Sequence, residues 1–105
     1  MSDILQDLFD TIHSRRGDDP ERSYSAKLLS QGPEKIARKL NEEAAGVLGA
    51  AISETPERVV SESADVLYHL LVLWAEAGIK PEDVWAELER RAGTSGIDEK
   101  NSRST

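Results

Sequence analysis

Apolar residues along this chain recur at intervals of three and four nearly everywhere, and strict alternation over four or more residues is hard to find. That pattern predicts helices throughout. A first helix over about residues 3–16 carries Ile4, Leu5, Leu8, Phe9 and Ile12 on one face and stops at the polar run Arg15 to Arg22, which contains Gly17 and Pro20. Ser23 is placed to cap a short second helix over residues 24–31, with Gly32 just past its end and Pro33 opening the next element. The third helix is expected from Pro33 to about Ile52, with Ile36, Leu40, Ala44, Val47, Leu48 and Ala51 as its apolar face.

Thr55-Pro56-Glu57 supplies an N-cap, a first-turn proline and a first-turn acid for a fourth helix ending near Gly78. A fifth starts at Pro81, Glu82 and Asp83 and closes near Gly93. The reading is an all-α fold with one helical domain over residues 1–93. Residues 94–105 form a polar tail without apolar periodicity, expected to be mobile in isolation.

The fourth helix is apolar around more than half its circumference, through Val59, Val60, Ala64, Val66, Leu67, Leu70, Leu71, Val72, Leu73 and Trp74. A small chain cannot easily cover all of that surface, so a homodimer that completes the helical core is expected. The alternative is a monomer in which the first and fifth helices cover the same residues.

Charge narrows the function. The 105 residues hold 13 Lys and Arg against 20 Asp and Glu, a net charge of −7, the wrong sign for a groove that tracks a phosphate backbone. Nucleic acid is therefore not expected as a partner. An acidic protein can still handle a polyphosphate when divalent cations lie between its carboxylates and the substrate oxygens. Cysteine is absent, which excludes disulfides, a thiolate nucleophile and a Cys-based zinc site and fits a cytoplasmic location. No stretch has the length and apolarity of a membrane span, and the start lacks a basic region leading into an apolar run.

Two acidic stripes stand out. At about 100° per residue, Glu43 falls at the edge of the third helix's apolar arc, where it is expected to be at least half-buried; Lys39, Lys35 and Glu42 follow further round. On the fourth helix Glu62, His69 and Asp65 border the apolar face in the same way. If the two helices pack antiparallel through a short Ser53–Thr55 connection, the stripes face each other and gather Glu42, Glu43, Glu62 and Asp65. Gathered carboxylates repel, and protonation, basic side chains or a hard cation offsets the repulsion. The bland alternative is solvated helix surface, with the acids paired to Lys35, Lys39 and Arg58 at spacings of three or four.

Several ordered segments add a resemblance. Ser23-Tyr24-Ser25-Ala26-Lys27-Leu28-Leu29, Gly32-Pro33-Glu34-Lys35-Ile36-Ala37-Arg38-Lys39-Leu40, the run from Glu62 to Leu73, and the tail from Gly93 to Lys100 look like the phosphoribosyl-ATP pyrophosphatase family. That family belongs to the MazG-like all-α nucleoside triphosphate pyrophosphohydrolases. The resemblance implies a MazG-like helical bundle completed by homodimerisation, and Mg²⁺-dependent hydrolysis of phosphoribosyl-ATP to phosphoribosyl-AMP and pyrophosphate in histidine biosynthesis.

Carried over to this chain, the resemblance implies that Glu43, Glu62 and Asp65 bind the metal, with Glu42 a further ligand or a base that orients water. Basic side chains must then hold the phosphates, and Lys27, Lys35, Lys39 and Lys100 are the candidates, with Ser23 and Tyr24 as hydroxyl contacts. The polar tail is a candidate for ordering over bound substrate. His69 either contacts the site or serves packing or the dimer interface. One position departs from the pattern, because Gly46 stands where the resemblance implies a third acid of the first segment. Its two readings are close packing between helices and a weakened or lost catalytic site. Two other functions stay open: a housekeeping pyrophosphohydrolase for nucleoside triphosphates, and a non-catalytic helical dimer.

Overall fold

The computed structural model describes residues 3–53 and 55–103. Residue 54 of the expected Ser53–Thr55 connection and residues 104–105 of the tail lie outside the described residues. Six helices form: α1 (Ile4–Ser14), α2 (Tyr24–Gln31), α3 (Pro33–Ser53), α4 (Pro56–Ala77), α5 (Pro81–Arg91) and α6 (Gly96–Arg103). No strand occurs among the described residues.

The boundaries have local causes. The Ser23 hydroxyl accepts a hydrogen bond from the Ala26 amide at 3.1 Å, satisfying a donor that the first turn of α2 leaves open. Gly78 ends α4 with φ +74°, a left-handed conformation that glycine adopts without a Cβ penalty. Thr55 occupies the cap position of α4, but its side chain makes no capping bond, contrary to the sequence expectation; Pro56 starts that helix. At α5 the Asp83 carboxylate accepts from the Lys80 amide at 3.1 Å, closing the first turn.

The longest packing contact joins α3 and α4, the two longest helices, which form a hairpin. α1 lies against α4, and α2 against both members of the hairpin. Ile12 from α1, Ile36 from α3, and Leu71 and Val72 from α4 are fully buried, with Phe9, Leu28, Leu29, Trp74 and Ala75 around them. Trp85 of α5 meets Trp74 edge-on, with ring centroids 5.9 Å apart. Arg16 ties the loop after α1 to the end of α4, donating to the Ala75 carbonyl at 3.2 Å.

The main core cluster occupies one end of the hairpin, and towards the other end Ala50 of α3 is also buried. Of the apolar face expected on α3, Ile36 is buried, Leu40 and Val47 are half-buried, and Ala44, Leu48 and Ala51 are exposed. On α4 the burial runs from His69 to Ala75, while Val60 and Leu67 near its start remain exposed. Period alone cannot distinguish the two ends of such a hairpin, because it reports which side of a helix is apolar and not what covers it.

Within the tail, α6 forms without an apolar stripe. Its organiser is Glu99, a carboxylate with a side chain only 7% exposed that accepts from Arg90 at 2.8 Å and lies 3.2 Å from Arg103 and 3.6 Å from Arg91. The two α5 arginines are themselves ordered by Glu87, whose carboxyl their hydrogen bonds hold down at about 2. A buried acid among three guanidinium groups thus substitutes for hydrophobic docking. Glu99→Ala is expected to raise hydrogen–deuterium exchange at residues 96–103 roughly tenfold or more while leaving α3 and α4 protected. That follows because hydrogen bonds to charged groups contribute about 1.5–3 kcal/mol.

Candidate functional site

Hairpin geometry brings the two acidic stripes together. Ligand oxygens of Glu43, Glu62 and Asp65 all lie within 4.8 Å of one another. Glu43 and Glu62 have side chains only 18% and 17% exposed, and Asp65 is exposed. Glu43 is thus at least half-buried, as its place on the wheel predicts.

Cations offset part of the repulsion among these carboxylates. Lys39 Nζ lies 3.4 Å from Glu42 and 3.5 Å from Glu43, and Arg58 donates to Glu62 Oε1 at 3.0 Å. Glu43, Glu62 and Asp65 thus converge, while Lys39 and Arg58 pair with Glu42, Glu43 and Glu62 at spacings of three and four. The three converging carboxylates, Glu43, Glu62 and Asp65, offer an all-oxygen set, which suits a hard cation such as Mg²⁺.

Glu42 lies at the edge of this group, its side chain 68% exposed and hydrogen-bonded by Lys39. The Lys39 ammonium is raised above its usual value, first by the charge of a Tyr24 phenolate, then by its hydrogen bond to Glu42 and the charges of Glu42 and Glu43. It stays protonated at neutral pH. Lys27, Lys35 and Lys100 are exposed on α2, α3 and α6. The Ser23 hydroxyl accepts the capping bond from Ala26.

Tyr24 connects α2 to the site. Its hydroxyl lies 3.2 Å from His69 Nε2, while His69 Nδ1 lies 2.7 Å from the Asp65 carbonyl. A carbonyl only accepts, so Nδ1 carries the proton and Nε2 accepts from the Tyr24 hydroxyl. Burial pushes the Tyr24 phenol above its usual value; Lys39 opposes the rise, and Tyr68, Glu43 and Asp65 add to it. His69 is 4% exposed, which makes it a packing residue that fixes the turn carrying Asp65. The Ser25 and Tyr68 hydroxyls also hydrogen-bond each other. Sequence reasoning did not single out that pair, whose only signal is that Ser25 and Tyr68 adjoin Tyr24 and His69 in sequence.

Gly46 sits in the middle of α3 with no positive φ, so backbone freedom is not its reason. A Cβ placed there would lie 2.7 Å from Glu62 Oε2 and 3.3 Å from Glu62 Cδ. The geometry supports the close-packing reading, because the glycine accommodates a carboxylate from α4.

Residues 5–92 match the family described as Phosphoribosyl-ATP pyrophosphohydrolase. A protein of Paramagnetospirillum magneticum named phosphoribosyl-ATP pyrophosphatase is 58% identical over 103 residues, covering 98% of this chain and 94% of the relative. Relatives with the same name in Rhodospirillum rubrum and Gluconobacter oxydans are 58% and 55% identical, over 96% and 95% of this chain and 86% and 75% of their own lengths. With a helical hairpin that converges three carboxylates, and with relatives matching along nearly its full length, the chain belongs to the phosphoribosyl-ATP pyrophosphohydrolase family.

Proposed function

We propose that this chain is a cytoplasmic, Mg²⁺-dependent enzyme that hydrolyses phosphoribosyl-ATP to phosphoribosyl-AMP and pyrophosphate in histidine biosynthesis. The observation that carries this reading is the convergence of Glu43, Glu62 and Asp65 in a chain whose relatives are named for that activity. Glu43, Glu62 and Asp65 hold the metal, which supplies Lewis-acid stabilisation of charge developing on the phosphate oxygens. Glu42, at the solvent edge of the group, is placed to accept a proton from an attacking water. Lys39 bridges Glu42 and Glu43 and can exchange these carboxylates for substrate phosphate oxygens. Lys27, Lys35 and Lys100, with Ser23 and Tyr24, are our further substrate contacts. Residues 1–93 form the catalytic domain, and the tail over residues 94–105 brings Lys100 to bound substrate.

The active form in this proposal is a homodimer. Leu48 and Ile52, at the end of α3, are 62% and 76% exposed; Val60 and Leu67, on the adjoining part of α4, are 70% and 45% exposed. Each pair repeats at a helical interval, so the two pairs make apolar stripes at the uncovered end of the hairpin. A second copy that buries those stripes completes the core through a two-fold interface.

Pyrophosphate release from phosphoribosyl-ATP, compared with a panel of nucleoside triphosphates under Mg²⁺ titration, tests the activity. Selective, metal-dependent release from phosphoribosyl-ATP is the expected result, and turnover of the panel alone overturns it. Glu62→Gln and Asp65→Asn are each expected to lower kcat/KM by about 100-fold or more while the far-ultraviolet circular dichroism stays helical. For the dimer, the double variant Leu48→Glu, Ile52→Glu is expected to weaken self-association by roughly 100-fold or more in sedimentation experiments, since an unpaired buried charge costs several kcal/mol.

A further inference from the structure

Ser23 and Tyr24, adjacent at the start of α2, present hydroxyls of opposite hydrogen-bonding sense. The Ser23 oxygen accepts from the Ala26 amide at 3.1 Å, so its own proton remains to be donated. At Tyr24 the proton is the part already used. His69 Nδ1 lies 2.7 Å from the Asp65 carbonyl and must donate to it, which leaves Nε2, 3.2 Å from the Tyr24 oxygen, to accept the phenolic proton. Among the described residues none donates to the Tyr24 oxygen in return. Towards an arriving ligand this phenol is therefore an acceptor. Tyr24 is 48% exposed, and its ring is stacked on Tyr68 and meets His69 edge-on, so the hydroxyl is placed before a ligand binds. It faces the carboxylate group, since the charges of Lys39, Glu43 and Asp65 all act on it.

We propose that Tyr24 is a specificity-determining residue that accepts a hydrogen bond from a ribose hydroxyl of phosphoribosyl-ATP, and that His69 is the positioning residue that fixes its acceptor sense; both roles rest on the activity proposed above. A phosphate group is a poor occupant of this place. Its oxygens are acceptors, and an acceptor set against an acceptor leaves both unpaired. Ribose carries hydroxyl donors, and on the ATP side it is joined directly to the phosphate chain that the proposed activity brings to the carboxylates. Tyr24 stands one imidazole ring away from the Asp65 backbone, so the sugar falls beside it. Ser23, whose proton is free, is the hydroxyl suited to a phosphate oxygen. The two neighbours thus read the junction between phosphate chain and sugar. A deoxyribose analogue leaves the Tyr24 oxygen without its donor, and a site built to pair a hydroxyl discriminates against the analogue that lacks it.

The test is pyrophosphate release by the full chain from phosphoribosyl-ATP and from its 2′-deoxy and 3′-deoxy forms in the ATP ribose, for the parent, Tyr24→Phe and His69→Leu. The parent is expected to prefer phosphoribosyl-ATP over one of the two analogues by about three- to tenfold in kcat/KM, water replacing part of the lost donor at a half-exposed residue. Tyr24→Phe is expected to lose a similar factor on phosphoribosyl-ATP and less than about twofold on that analogue. His69→Leu frees the phenolic proton, and its preference for the hydroxylated substrate is expected to fall below about twofold. That ratio isolates the positioning role, since loss of folded enzyme lowers all three rates alike. The half-exposed Tyr24 tolerates phenylalanine, so the acceptor role is decided even if the buried His69 position does not tolerate leucine. A parent indifferent to both hydroxyls, or Tyr24→Phe losing the same factor on all three substrates or on none, overturns the acceptor role; a His69→Leu enzyme that keeps the parent's preference overturns the positioning role. A parent that releases no pyrophosphate from phosphoribosyl-ATP overturns the proposed activity and this inference with it, which separates that failure from the others.

Discussion

The packing of α3 along α4 is the constraint on which both the core and the carboxylate group depend. One end of this hairpin buries Ile36 against Leu71 and Val72, and the same alignment draws Glu43 towards Glu62 and Asp65. Those acids oppose the packing that assembles them, since like charges in a partly buried site repel. Lys39 and Arg58 offset part of that repulsion from within the same two helices. A divalent cation held there, as proposed, would relieve the rest and would stabilise the fold, because whatever binds the folded state preferentially stabilises it.

Around the hairpin, polar contacts do work that a larger protein would leave to apolar burial. His69 uses both ring nitrogens, one on the Asp65 carbonyl and one on Tyr24, and so locks α2 to the turn of α4 that carries a proposed ligand. Each bond defines the other through the tautomer, since a neutral imidazole has one donor and one acceptor. At the opposite end of the chain Glu99 gathers Arg90, Arg91 and Arg103 and docks α6, a segment with no apolar stripe of its own. The thin core of a 105-residue chain is thereby extended by charge-assisted bonds.

Much was legible in the sequence, and for identifiable reasons. The limits of α2, α3 and α4 follow from Ser23, Gly32, Pro33, Pro56 and Gly78, residues whose backbone and capping preferences act over a few positions. The half-burial of Glu43 followed from its angle to the apolar arc, and the pairing of Arg58 with Glu62 from a spacing of four. These are local relations, and a linear sequence contains them in full.

Tertiary structure alone decided three matters. Helical periodicity marks Leu48, Ile52, Val60 and Leu67 as apolar but cannot say that they lie beyond the reach of α1 and α5. The order of α6 depends on three arginines meeting one carboxylate across a turn, which no hydrophobic pattern announces. Gly46, which in sequence could mean a lost ligand or a close approach, acquires a meaning only when Glu62 is seen above it, sixteen residues further along and on another helix. Local propensity and period were determined by the sequence by itself, because they arise between near neighbours; which surfaces meet, and which side chain fills the space another leaves, depends on distances between helices that only the packed fold sets.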